Sequence, residues 1–260
     1  MLTADLARDL SYALDPAALA GCLGIEPDPW QTRVLRSPAR QFILNTSRQV
    51  GKSTITGVLA AHSALYEAGA PILLLSPSLR QSGLLFAKVK AVLGALGSEF
   101  APTETDNALS VTLGNGSEIH SLPGKAGTVR GFSGVHTLII DEAAYVPDEL
   151  YRAVRPMLAV SAGRLMLLST PFGKRGFFHD EWTNGGARWE RVEVDYRQCP
   201  RITPEFIEEE KRALGVFFAQ EYECQFLDTT NALFSGTDID RAFANDLQPA
   251  FDLSLLGEAL

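Results

Sequence analysis

Ser47-Arg48-Gln49-Val50-Gly51-Lys52-Ser53-Thr54 is the stretch that decides the fold, because it divides a strand from a helix. Before it runs Gln41-Phe42-Ile43-Leu44-Asn45, apolar and strand-length. After it, Ile55, Val58, Leu59, His62 and Leu65 recur at helical spacing between Ser53 and Tyr66. A loop ending in Gly-Lys-Ser at that junction is the phosphate-binding pattern, here with Thr46 in place of its first glycine. Backbone N–H groups of Arg48 to Ser53 are expected to wrap phosphates at the helix N-terminus. Lys52 would reach the β- and γ-phosphates and Ser53 would ligate Mg²⁺. The nucleotide-binding set is therefore Ser47, Arg48, Gln49, Val50, Gly51, Lys52, Ser53 and Thr54. Gly-Lys-Ser alone recurs by chance; the flanking strand and helix give it weight. Arg48 is unusual in such a loop. It reads either as an internal arginine finger on the γ-phosphate or as an exposed loop arginine.

Working outward, Ile72 to Ser76, Thr137 to Ile140 and Leu165 to Ser169 read as buried strands, and Arg188 to Asp195 as an alternating one. Leu84 to Leu96, Glu149 to Leu158 and Pro204 to Gln225 read as helices, the last capped by Thr203. Leu109 to Leu113 and Glu118 to Leu122 form a hairpin about Gly114-Asn115-Gly116. Strands alternating with helices predict an α/β fold, a mostly parallel central sheet covered by helices on both faces. Ligands in such sheets sit at the carboxyl ends of the strands, where every motif found here falls.

The second motif is Leu138-Ile139-Ile140-Asp141-Glu142. An apolar strand fixes Asp141 at its tip, beside Mg²⁺, and Glu142 is placed to polarise a water for attack on the γ-phosphate. The competing reading is a helix-capping acid pair, which the upstream phosphate loop disfavours. Ser169-Thr170-Pro171 ends the next strand, where hydroxyls can sense the acids or the γ-phosphate. Gln31, in Pro29-Trp30-Gln31, can donate and accept, which suits an adenine edge.

Composition narrows the class. The 260 residues are 46% hydrophobic and 21% charged, ordinary for a globular protein, with no run long enough for a membrane span and no expected signal peptide. The formal charge of −8 argues against coating nucleic acid by bulk charge and leaves room for a local basic patch. Cys22, Cys199 and Cys224 are scattered, which fits a reducing compartment, and the four histidines lack metal-ligand spacing.

Trp30-Gln31, the phosphate loop, Arg130-Gly131, Leu138 to Ala143, Ser169-Thr170-Pro171 and Gln220 to Phe226 together resemble the ATPase domain of the terminase large subunit of tailed bacteriophages. The resemblance implies a P-loop NTPase of the additional-strand, catalytic-glutamate class with a small helical lid. It also implies ATP and Mg²⁺ as cofactors and hydrolysis that drives double-stranded DNA into a procapsid. The implied partners are DNA, the portal protein, the small terminase subunit and further copies in a pentameric ring, in the host cytoplasm and away from membranes. Residue by residue, Gln31 would read adenine, and Lys52 and Arg48 would hold phosphates. Ser53 and Asp141 would hold Mg²⁺, Glu142 would be the catalytic acid, and Ser169 and Thr170 the coupling motif. Arg130 would be the finger offered to a neighbouring subunit, or else a loop arginine that contacts phosphate or DNA.

The expected organisation is an N-terminal helical segment (1–40), a P-loop core (41–198), a lid (199–228) and a linker or the start of a nuclease domain (229–260). The last segment is too short to bury a nuclease core, so no DNA cleavage is expected of this chain. Two alternatives share the motifs: a helicase-like superfamily 2 ATPase, which needs a second RecA-like domain, and a nucleotide-gated assembly module without turnover, which Glu142 disfavours.

Overall fold

Strand β1 (Gln41–Thr46) is buried along nearly its whole length, since Phe42, Ile43 and Leu44 leave no face for water. Such a strand requires a neighbour on each edge and cover on each face. The computed structural model, which describes residues 2–124, 129 and 131–228, supplies both.

Helices α1 (Leu2–Leu14), α2 (Pro16–Ala20) and α3 (Pro29–Arg36) open the chain, with prolines in the first turns of α2 and α3. After β1 come α4 (Lys52–Tyr66), β2 (Pro71–Ser76) and α5 (Leu79–Leu96). A meander follows: β3 (Thr103–Asp106), β4 (Ser110–Leu113) and β5 (Glu118–Pro123). Next are β6 (Thr137–Asp141), α6 (Asp148–Val154), β7 (Arg164–Ser169), α7 (Gly176–Asn184) and β8 (Trp189–Val194). Helices α8 (Pro204–Leu214) and α9 (Phe218–Tyr222) complete the described chain.

Among the described residues the sheet has eight strands in the order β3-β4-β5-β2-β6-β7-β1-β8. All pairings from β5 to β8 are parallel; only β4, against β3 and β5, is antiparallel. The expected mostly parallel α/β sheet is the one observed. Period-two alternation sorts the strand side chains into two cores. Phe42, Leu44, Leu74, Ile139 and Leu168 face α4 and α5, whereas Ile43, Leu73, Ile140 and Leu167 face α6 and α7. Helix α4 approaches α5 closely at Gly57, where a Cβ would lie 2.8 Å from Lys88 Cβ.

Several local expectations need correction. The helix expected over 204–225 is broken at Gly215 (φ 53°, ψ −124°), a conformation that ends α8 before a 3₁₀ turn leads into α9. The broken pair has its own small core of Ile207, Phe218 and Tyr222. The helix expected from 84 starts at Leu79, because the Ser78 hydroxyl accepts from Gln81 N–H and caps it. The one expected over 149–158 stops at Val154; Pro156 cannot donate, and a 3₁₀ turn takes its place. Strand β3 and helix α7 were not anticipated. No described helix is long and apolar enough to cross a membrane. Residues 229–260, expected as a linker or nuclease start, lie outside the described residues.

Candidate active site

The phosphate loop leaves β1 at the carboxyl edge of the sheet and enters α4 through two left-handed residues, Gln49 (φ 58°) and Gly51 (φ 95°). Gly51 also has a steric reason to lack a side chain: a Cβ would lie 2.9 Å from Gln31 Nε2. The N–H groups of Lys52 and Ser53, in the first turn of α4, have no intrahelical acceptor and sit at the positive end of the helix. The Ser47 N–H instead donates to Val194 O, at 2.8 Å, and the Arg48 N–H to Glu221 O, at 2.9 Å. Arg48 to Ser53 was the run expected to wrap phosphate; in this state its first N–H is engaged by α9.

Residues 47–54 line a cavity of about 680 Å³, joined by Gln81, Glu142, Tyr145 and Thr170. Two strands away, β6 delivers Asp141 to the same edge. Lys52 Nζ lies 3.3 Å from Asp141 Oδ1 and 2.9 Å from Glu142 Oε1. Burial works against the ammonium charge, but the two carboxylates override it and hold the Lys52 pKa above its ordinary value. Burial pushes the Asp141 carboxyl upward, Lys52 opposes that push, and the charge of Glu142 adds to it. Glu142 itself is left-handed (φ 51°), an unfavoured conformation for a residue with a Cβ, and it turns the chain sharply after β6. Asp141 Oδ1 is buried with the Lys52 ammonium as its ion-pair partner, and Ser53 lines the cavity. A buried carboxylate and a serine beside it are oxygen donors of the kind a hard cation takes. Among the described residues no cluster of three or more His, Cys, Asp or Glu is placed to hold a metal ion.

Between β1 and β6, β7 brings Ser169 and Thr170 to the same edge. The Ser169 hydroxyl accepts from Ala144 N–H (3.2 Å) and donates to Thr170 O (2.7 Å), tying the end of β7 to the turn after Glu142. The guanidinium of Arg48 pairs with the Glu221 carboxylate, and that hydrogen bond raises its pKa further.

Gln31 lies behind the loop. Its carbonyl oxygen accepts from Asp28 N–H (2.9 Å) and its amide donates to Val50 O (3.4 Å). Asp28 is in turn held by Arg201 through contacts of 3.0 and 2.7 Å. The described structure thus gathers Arg48, Lys52, Ser53, Asp141, Glu142, Ser169 and Thr170 at one edge and sets Gln31 as a brace beneath them. Arg130 lies outside the described residues. Gln81, Tyr145 and Arg201 were not foreseen, and no spacing in the sequence marks them. Glu221 stood within the Gln220 to Phe226 segment without a role.

The family model described as terminase large subunit, T4likevirus-type, N-terminal, matches residues 43–241. The terminase large subunit of Thermus virus P23-45 is 24% identical over 253 aligned residues, covering 84% of this chain and 52% of the relative. The chain therefore spans about half the length of such curated relatives. The Thermus phage P74-26 large terminase ATPase domain superimposes with a TM-score of 0.70 at 22% identity, over 79% of this chain and 96% of that one. A large terminase from a thermophilic bacteriophage, solved in complex with ADP, superimposes with a TM-score of 0.62 at 16% identity, over 77% and 54%.

Proposed function

The chain belongs to the T4likevirus-type terminase large subunit family, by its N-terminal part, and on that footing we propose that it hydrolyses ATP to drive double-stranded DNA into a viral procapsid. The observation that carries this reading is the meeting of Lys52 with Asp141 and Glu142 at the carboxyl edge of the sheet. Lys52, at the start of α4, and Glu142, just after β6, line one cavity, and Asp141 at the tip of β6 pairs with the same ammonium.

The chemistry follows from the charges. The triphosphate enters against the N–H groups of Lys52 and Ser53, and Lys52 transfers its contacts from the acids to the β- and γ-phosphates. Ser53 and Asp141 would hold Mg²⁺, which would supply positive charge to offset that of the phosphates. Released from Lys52, Glu142 orients a water and accepts its proton as the water oxygen bonds to the γ-phosphorus. The bond from that phosphorus to the β,γ-bridging oxygen breaks, and ADP leaves with the electron pair. Glu221 competes with the γ-phosphate for the Arg48 guanidinium, which lines the cavity. Ser169 joins the end of β7 to the Glu142 turn, which supports a coupling role for Ser169 and Thr170. Gln31 acts on the nucleotide through the loop it braces and at the adenine side of that loop.

The ADP complex of a structurally similar terminase supports nucleotide binding here. Family membership supports DNA, portal protein, small subunit and a ring of copies, pentameric in the full reading, as partners in the host cytoplasm. By the same family likeness Arg130 would be the finger between copies or else a loop arginine that contacts phosphate or DNA. The test is phosphate release from ATP with Mg²⁺ by wild type and Glu142→Gln, alongside binding of a fluorescent ATP analogue. The expected result is retained binding with turnover lowered by about 10²–10⁴-fold. Equal turnover in both proteins removes Glu142 from the mechanism.

A further inference from the structure

Tyr145 stands where the two halves of the site meet. It closes the short 3₁₀ turn that follows Glu142, and its N–H donates to the Glu142 carbonyl at 2.9 Å. Its ring stacks on Phe172, with centroids 4.3 Å apart and planes inclined by 29°. Phe172 is the residue immediately after Ser169-Thr170-Pro171. The Arg175 guanidinium lies 4.3 Å from the centroid of the Phe172 ring, adding a cation–π contact to the stack. Tyr145 thereby joins the acid-bearing turn of β6 to the exit of β7, beside the Ala144–Ser169 hydrogen bond.

The stack also belongs to the phosphate cavity. Tyr145 lines it, with its side chain partly exposed. Burial, with the negative charge of Glu221, keeps the phenol protonated, while Arg48, Glu142 and Lys52 act on it as well. Lys52 holds the Glu142 carboxylate here, and once Lys52 turns to phosphate the direction of that carboxylate depends on the turn, whose backbone at Glu142 is in the unfavoured left-handed region. Burial of Ala143 in the core and the hydrogen bond from Ala144 to Ser169 anchor that turn; the aromatic contact holds its far end.

We infer that Tyr145 is a positioning residue for hydrolysis: stacked on Phe172, it locks the turn that aims Glu142 and makes that aim depend on the exit of β7. The inference rests on the hydrolytic reading above. It separates from that reading because nucleotide binding does not require the stack, whereas orienting the water does.

The experiment compares wild type, Tyr145→Ala, Tyr145→Phe, Phe172→Ala and the double alanine variant in the full chain. Turnover is read by phosphate release, affinity by titration of a fluorescent ATP analogue, and the turn by hydrogen exchange of the peptide spanning residues 141–146. Each single alanine change is expected to lower kcat by at least about 10-fold while the analogue's Kd stays within about threefold. The double variant should be no worse than the weaker single one, because both changes remove one contact. Tyr145→Phe, which keeps the ring, should recover most of the loss. Exchange in 141–146 should rise in both single alanine variants and return toward wild type in Tyr145→Phe.

Wild-type turnover in Tyr145→Ala, kcat losses that multiply in the double variant, or unchanged exchange in 141–146 overturns the inference and leaves the hydrolytic reading intact. A wild-type chain that releases no phosphate overturns the hydrolytic reading first, and this role with it.

Discussion

Arg48 and Glu221 are joined twice: guanidinium to carboxylate, and Arg48 backbone N–H to the Glu221 carbonyl. One residue of α9 thus holds both the side chain and the backbone of the phosphate loop's only arginine. Releasing the side chain should favour a ligand that needs it. Glu221→Gln is expected to raise the preference for ATP over ADP by about two- to fivefold, the scale of a partly exposed ion pair. Adding Arg48→Ala should abolish the gain. Titrations of both nucleotides decide it, and an unchanged ratio counts against competition between Glu221 and the γ-phosphate.

Lys52 is the ion-pair partner of two acids, so its loss affects stability as well as binding. Lys52→Met should abolish nucleotide binding and lower stability by on the order of 2 kcal/mol. That is below the about 3–5 kcal/mol expected where a sealed pair is broken, because water reaches this cavity. Lys52→Met combined with Asp141→Asn should recover much of the stability and none of the binding. Urea denaturation of the three proteins measures this; a double variant less stable than Lys52→Met alone would contradict the charge argument.

Gly57 sets the distance between α4 and α5. A methyl there meets Lys88 Cβ at 2.8 Å and the Lys88 carbonyl carbon at 3.0 Å, and neither belongs to the flexible end of a side chain. Gly57→Ala should cost about 1–3 kcal/mol through overpacking, despite alanine's better helix propensity. A urea midpoint at or above the wild-type value would show that the helices yield.

His62 gives a pH dependence of known sign. Burial lowers its pKa, and its Nε2 lies 3.1 Å from Tyr12 O, a hydrogen bond that a neutral ring can donate. The unfolded chain takes up a proton near the ordinary histidine value of about 6.5, whereas the folded chain resists it. This contribution is complete above that value and is lost as pH falls from there toward the depressed folded pKa. Thermal midpoints between pH 8 and pH 5 should fall more steeply in wild type than in His62→Gln. Parallel profiles would remove His62 from the account.

How much of this was legible in the sequence depended on whether a feature is local. The run Gln41 to Ser53 carries strand, loop and helix signals within a few residues, and Leu138 to Glu142 carries its acids at the strand tip. Both landed as read. The long helix from Pro204 did not, although Gly215 directly after Leu214 is a recognisable stop; the apolar residues beyond it kept the helical pattern alive. The stack of Tyr145 on Phe172 and the clasp of Glu221 on Arg48 join residues 27 and 173 positions apart. Such contacts leave no periodic trace in a single sequence. Gln31 shows the intermediate case: its side-chain type was noticed, but its bonds to Asp28 and Val50 depend on how α3 packs.

The position of β7 between β1 and β6 has a consequence for how this site can be altered. Neighbouring strands lie about 4.8 Å apart, so one intervening strand sets the phosphate loop about 10 Å from the acid-bearing edge. That separation comes in whole-strand steps. No side-chain substitution can widen or narrow it by a fraction, and removing the spacer would collapse it by half. Engineering of this site must therefore retune what projects into a gap of constant gauge, by side-chain length and charge, and leave the ruler alone.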